Sequence, residues 1–344
     1  MLLSDLRLVP PFVPSCLRAF VPLLMLSAAA SAYTPPPGFE TTGQSFPASA
    51  VAVAPDGKVA VGIDNFAGGA SISIYSSLAH VGGTPIKTFT HPTWKFIAGI
   101  AWADSSTLVF GENGDLDTVL RAGMADATAT PLAALGSIPA VADLTIRGST
   151  VYAVSAAGPG ANSVLSVPLA GGTPSSVITG FGTGYGGGIA FDSAGTMLLT
   201  DTNDPAFVGN PGRVLRYDAA LNPLSFIDLS PAGGSGAVDL LIDDEGDILV
   251  TSGRRLTRIV AGTLTVEPFG AFDDFSFPTY LAYVPGGFEP YAGTGRLIVS
   301  GFNDQTGYFP GAAFVIAPAV PEPAACAVVL VACGAVLARR RGDR

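Results

Sequence analysis

The chain has 344 residues, 13% charged and 48% hydrophobic, with 43 glycines and 28 prolines. That excludes a disordered polyelectrolyte, and turn residues in such number without a collagen period point to an all-β protein. The formal net charge is −10, and residues 33–323 carry 11 basic against 25 acidic side chains, which excludes attraction to nucleic acid or to an anionic membrane surface.

At the N-terminus Arg7 and Arg18 precede the apolar stretch AFVPLLMLSAAA and then Ala30-Ser31-Ala32. A charged region, a short apolar core and small residues at −3 and −1 predict a secretory signal over residues 1–32, cut by signal peptidase before Tyr33. The apolar core is too short for a stable span. Cys16 lies in this leader, and Cys326 and Cys333 lie near the C-terminus. The body between them can hold no disulfide, thiolate zinc site or cysteine nucleophile.

From residue 33 to 319 the sequence repeats. Six segments share one pattern, an alternating apolar strand, a polar tight turn and a second apolar strand. They are VAVAPDGKVAVGID, AGIAWADSSTLVFGEN, ADLTIRGSTVYAVS, GGIAFDSAGTMLLTDTND, VDLLIDDEGDILVTSG and LAYVPGGFEPYAGTGRLIVSGFND. Each is followed by a third strand-like run, and most by a fourth. Spacing on the order of 40–50 residues is that of four-stranded blades, and predicts an all-β, six-bladed propeller. A seven-bladed ring and a pair of β-sandwiches are the alternatives. The sixth repeat lacks a fourth strand, and GFETTGQSF, 38–46, is expected to supply it beside AAFVIAPA and close the ring, because an open edge invites pairing with other chains.

The segment GGIAFDSAGTMLLTDTND and the GRVLRYD that follows resemble an NHL-type blade. The wider likeness is to gluconolactonase-like six-bladed propellers. That resemblance implies a divalent cation held by acidic and amide residues of loops on one face, and a lactonase or other hydrolase activity.

The residues themselves carry few signs of chemistry. No G-x-S-x-G elbow and no H-E-x-x-H helix is present, and His80 and His91, the only histidines, read as solvated loop residues. Gly182, Gly184 and Gly187 match G-x-G-x-x-G, but a strand follows where a dinucleotide site needs a helix N-terminus.

Two sets of candidate site residues remain. In four repeats the second strand ends in carboxylates or amides: Asp64 and Asn65; Glu112, Asn113 and Asp115; Asp201, Asn203 and Asp204; Asn303 and Asp304. Oxygen donors around a channel suit Ca²⁺ or Mg²⁺, and Glu112, Asp201, Asn203 and Asp204 are the candidate ligands. Local Asx turns are the competing explanation. In the loops leading into the blades, Trp94, Tyr185, Phe277 and Tyr280 offer aromatic faces that could stack on sugar rings, or could plug the gaps between blades.

The C-terminus reads Pro321-Glu322-Pro323, about 15 apolar residues over 324–338, then Arg339, Arg340 and Arg341. At ~1.5 Å per residue the apolar helix is short for a bilayer, and the arginines should stay cytoplasmic. The three parts together, residues 320–344, resemble a PEP-CTERM sorting signal. The resemblance implies an exosortase-type protease as partner, cleavage near the tripeptide and release or attachment at the cell surface. The expectation is an exported surface or matrix protein, non-enzymatic, binding polysaccharide or another envelope component. The metal-dependent lactonase is the alternative.

Overall fold

The structure is a computed structural model, and it describes residues 33–34, 39–65, 67–114, 116–203, 212–233, 236–272, 276–284, 296–303 and 312–318. The expected signal peptide, 1–32, and the sorting tail with Pro321, Glu322, Pro323 and Arg339–Arg341 lie outside those residues. No helix among the described residues is long and apolar enough to cross a membrane.

Two strands open the chain, β1 (Tyr33–Thr34) and β2 (Phe39–Pro47). Six repeats follow. The first is β3 (Ala50–Val53), β4 (Val59–Ile63), β5 (Ser71–Tyr75) and β6 (Lys87–Thr90). The second is β7 (Ile97–Trp102), β8 (Thr107–Glu112), β9 (Thr118–Gly123) and β10 (Thr130–Pro131). The third is β11 (Val141–Arg147), β12 (Thr150–Ser155), β13 (Asn162–Pro168) and β14 (Ser175–Phe181). The fourth is β15 (Gly186–Phe191), β16 (Met197–Asp201), β17 (Arg213–Tyr217) and β18 (Ile227–Asp228). The fifth is β19 (Ala237–Ile242), β20 (Ile248–Ser252), β21 (Arg255–Ile259) and β22 (Val266–Phe272). The last is β23 (Ser276–Val284), β24 (Arg296–Asn303) and β25 (Ala312–Pro318).

Every repeat pairs its strands antiparallel in chain order, and among the described residues the strands form six sheets. The first strands of the repeats, β3, β7, β11, β15, β19 and β23, each touch the next, and β23 touches β3. The chain is therefore an all-β propeller with these strands around its axis. β2 pairs antiparallel with β25, from Phe39 opposite Pro318 to Pro47 opposite Ala312, which is the closure expected from the sequence. β1 adds to the outer edge of the fifth sheet through Tyr33 opposite Phe272, an addition the sequence reading did not foresee.

The second strands explain why the repeats read as apolar runs. Each lies between two cores, so side chains of both parities are buried. In β8, Leu108 and Phe110 face a cluster shared with the first sheet, and Val109 faces one shared with the third. In β24, Leu297 and Val299 pack against the fifth sheet, and Ile298 packs against the first. In β16, Leu198 faces the fifth sheet, and Met197 and Leu199 the third. Each cluster joins two neighbouring sheets, so closing the ring completes the core rather than merely covering it.

Candidate ligand site at the channel mouth

Bulges near the axis place the candidate site residues. The pairing of first with second strand shifts register at Ala98/Ile100, Val141/Asp143, Gly186/Ile189, Ala237/Leu240 and Pro278/Tyr280. A bulge re-aims the side chain it carries. At the same place in successive repeats the sequence offers Gly99, Asp143, Gly188 and Asp239.

The alternation has a steric reason. A Cβ on Gly99 would come 2.5 Å from Asp143 Oδ1, and one on Gly188 would come 2.5 Å from Asp239 Oδ1. Each aspartate fills the space left by the glycine before it and reaches on to the following repeat. Asp143 Oδ2 accepts the N–H of Ile189 at 3.0 Å, and Asp239 Oδ2 accepts that of Leu281 at 2.7 Å. Asp239 Oδ1 accepts the N–H of Leu240 at 2.7 Å.

Tyr280 crosses the channel beside them. Its hydroxyl donates to the carbonyl of Ala142 at 2.9 Å, and the residue lines two cavities. One cavity, ≈ 300 Å³, is bordered by Gly99, Asp143 and Asp239. Burial pushes the Asp143 carboxyl up to about 7. Burial and then the charge of Asp143 push Asp239 well above the ordinary carboxylate range. Burial, and then the charges of Asp143, Asp64 and Asp239, also drive the Tyr280 phenol up. The Asp143 carboxyl is thus mostly protonated below about pH 7. Sequence reasoning missed both aspartates, although the recurrence of Asp-Leu at one place in two repeats was a readable signal.

The other cavity, ≈ 240 Å³, opens where the second strands end. Phe96, Tyr185 and Tyr280 contribute aromatic surface, and Asp64, Asn113 and Thr202 contribute polar groups. Asp64 is 9% exposed; its Oδ1 accepts from the Ser49 hydroxyl and the Ile97 N–H, each at 2.8 Å. Burial raises the carboxyl to about 6, against these hydrogen bonds. Its Oδ2 has no hydrogen-bond partner among the described residues. The mouth therefore combines apolar walls with a few polar atoms, the usual make-up of a small-molecule site.

Of the four residues nominated as metal ligands, Glu112, Asp201 and Asn203 are described, and each bonds a neighbouring loop. Glu112, fully buried, accepts the Lys95 N–H on Oε1 at 2.9 Å and the Leu116 N–H on Oε2 at 2.8 Å. Asp201, fully buried, accepts the N–H groups of Thr183 (3.1 Å), Gly184 (2.9 Å) and Asn203 (3.1 Å), and the Arg213 Nε–H at 2.8 Å. Asn203 Oδ1 accepts the Thr183 hydroxyl at 2.7 Å, and Asp204 lies outside the described residues. No group of three or more His, Cys, Asp or Glu converges among the described residues. The described members of that set thus hold the loops at the mouth, and Asp201, with four bonds accepted, has no oxygen lone pair to spare.

The aromatic set divides as well. Trp94 is only 2% exposed and packs edge-on against Phe110, with centroids 5.0 Å apart, so it plugs the gap between the first two sheets and offers no face to a ligand. Tyr185 and Tyr280 meet at the mouth, and the Phe277 side chain lies outside the described residues. His80 and His91 are exposed, bonded to Ser77 and Thr93 nearby. The strand β15 follows Gly182 and Gly184 directly, with no helix to hold a pyrophosphate.

Comparison with solved structures finds the same architecture elsewhere. The likeness is one of fold. The calcium-binding protein regucalcin from Agrobacterium tumefaciens superimposes with a TM-score of 0.55 at 16% identity, over 85% of this chain and 96% of that one. A gluconolactonase from Xanthomonas campestris gives 0.53 at 13% identity, over 84% and 98%. The PQQ-bound aldose sugar dehydrogenase of Streptomyces coelicolor gives 0.52 at 12%, over 82% and 99%. No family profile and no curated protein sequence matches the chain.

Proposed function

We propose that this is an exported six-bladed propeller that binds a sugar unit of an extracellular polysaccharide in its channel mouth without transforming it. One observation carries the reading: the mouth pairs the Tyr185 and Phe96 side chains with Asp64, Asn113 and Thr202, while Glu112 and Asp201 are committed to the loops. Sugar rings present apolar C–H faces and hydroxyl edges, which such a mixture of aromatic and polar groups complements. A volume of ≈ 240 Å³ is below that of drug-sized sites, and suits one ring rather than a long chain segment. Export and surface sorting rest on the two ends of the sequence. Protein recovered from the surface of the native host should lack residues 324–344 by intact mass, and finding them there would contradict sorting by cleavage.

Titration calorimetry with a panel of trisaccharides tests the binding reading. Tyr185→Ala is expected to weaken binding about tenfold or more while leaving the melting curve close to that of the parent, because a partly exposed loop aromatic carries binding contacts rather than core. Trisaccharides that give no heat, or a variant that binds as well as the parent, would overturn it.

The second reading, a calcium-dependent lactonase, is favoured by the fold shared with regucalcin and gluconolactonase. Calcium at a hundredfold excess over its dissociation constant would then stabilise the body by about 2.7 kcal/mol. We expect calcium to leave the melting temperature unchanged, since the described carboxylates nominated as ligands already have partners; a rise would turn the account toward the metal enzyme.

A further inference from the structure

The mouth has a charge preference that the sugar reading alone does not specify. Among the described residues its only side chain that ionises near neutral pH is Asp64, and no Lys, Arg or His lines it. Asp64 is nine-tenths buried, and its Oδ1 is committed to Ser49 and Ile97. Oδ2 is the atom left to meet a ligand. A carboxylate held in an apolar pocket needs a partner, and a ligand that brings a cation supplies it. The aromatic rings beside it attract the same cation through their faces. An anionic sugar would meet repulsion, from Asp64 and from the acidic body alike.

Resting on the sugar reading, we propose that the mouth selects a sugar carrying a free amino group, with Asp64 Oδ2 accepting from the ammonium and the ring lying against Tyr185. Asp64 is the specificity-determining residue of that site. The groups that face it are Ser49 from the loop before β3, the Ile97 N–H of β7, Glu112 at the end of β8, whose charge raises Asp64 further, and the Tyr280 hydroxyl on β23. No cation among the described residues competes for it. The preference therefore requires an ionised Asp64, and fades as pH falls through about 6.

The test compares β-1,4-linked trimers of glucosamine, glucose and glucuronate by titration calorimetry on the intact body. At pH 7 the glucosamine trimer is expected to bind about tenfold or more tightly than the glucose trimer, the scale of one charge-assisted hydrogen bond. That ratio should collapse at pH 5, where the amine stays charged and Asp64 does not. It should also collapse at pH 7 in Asp64→Asn, whose amide oxygen can still accept from Ser49 and Ile97. Should that variant fail to fold, the pH comparison on the parent protein decides alone. Equal binding of the glucose trimer at pH 7, or tighter binding of the glucuronate trimer, overturns the amine preference and leaves the sugar reading standing. Binding of no trimer overturns both.

Discussion

A chain that begins at Ala48, and so lacks β1 and β2, is expected to lose its cooperative melting transition or to melt far below the parent. β2 pairs along β25 at both ends of the strand, and without it the last sheet presents an unpaired edge. Phe46, 5% exposed, is packed in the cluster that joins the last sheet to the first, beside Ile298 and Val315. Removing one such buried aromatic costs about 3–5 kcal/mol, against a total stability of about 5–15. The lost strand pairing adds to that. A synthetic peptide of residues 39–47 should bind the truncated chain by strand addition and restore part of the transition, which separates the role of β2 from that of β1. A truncated chain that melts within about 2 °C of the parent would contradict closure by β2.

The body should be most stable in mild acid and lose stability as pH rises toward 8. Asp143 and Asp64 have folded-state values of about 7 and about 6, both above the ordinary 3.8, and Asp239 is raised further than its own partners can offset. Between pH 4 and 7 the folded state therefore binds more protons than the unfolded chain. Its advantage is complete below the unfolded value and is lost as pH climbs through the folded values. For Asp143 alone the loss is on the order of a few kcal/mol. The acidic body also repels itself more as pH rises, so a control is needed. Asp143→Asn keeps an oxygen for the Ile189 N–H and removes the proton, and should flatten the decline in melting temperature between pH 5 and 8. Glu245→Gln removes one charge from a side chain 78% exposed and should leave the slope almost unchanged. Parallel slopes for parent and Asp143→Asn would contradict the raised folded-state value of Asp143.

Much of the fold was legible because each second strand serves two cores. Leu108-Val109-Phe110 and Leu297-Ile298-Val299 are apolar at every position for that reason. The role of residues 38–46 followed from a missing partner rather than from their own pattern. The short outer strands were harder: β10 is only Thr130–Pro131, where proline cannot donate to a ladder, and β1 is two residues whose partner is far along the chain.

The site was legible in part. Asp64 and Asn113 stood out by their place at strand ends, Tyr185 and Tyr280 as aromatics in the loops leading into the blades, and the structure brings them to one cavity. Glu112 and Asp201 stood out for the same reason, yet they hold loops. A carboxylate after a strand looks the same in sequence whether it faces a channel or a row of N–H groups. Trp94 shows the same ambiguity, since a loop tryptophan can turn inward. Asp143 and Asp239 escaped because an apolar strand with one acidic residue reads as alternation, and only the three-dimensional bulge puts that residue on the axis.

The claim at the centre of this account is that a sugar ring occupies the channel mouth. The most direct measurement is a difference electron-density map from crystals soaked with the glucosamine trimer. The account predicts one ring of the trimer over Tyr185 with its nitrogen within hydrogen-bonding distance of Asp64 Oδ2. Sugar density elsewhere on the propeller, with the mouth holding only water, would contradict it.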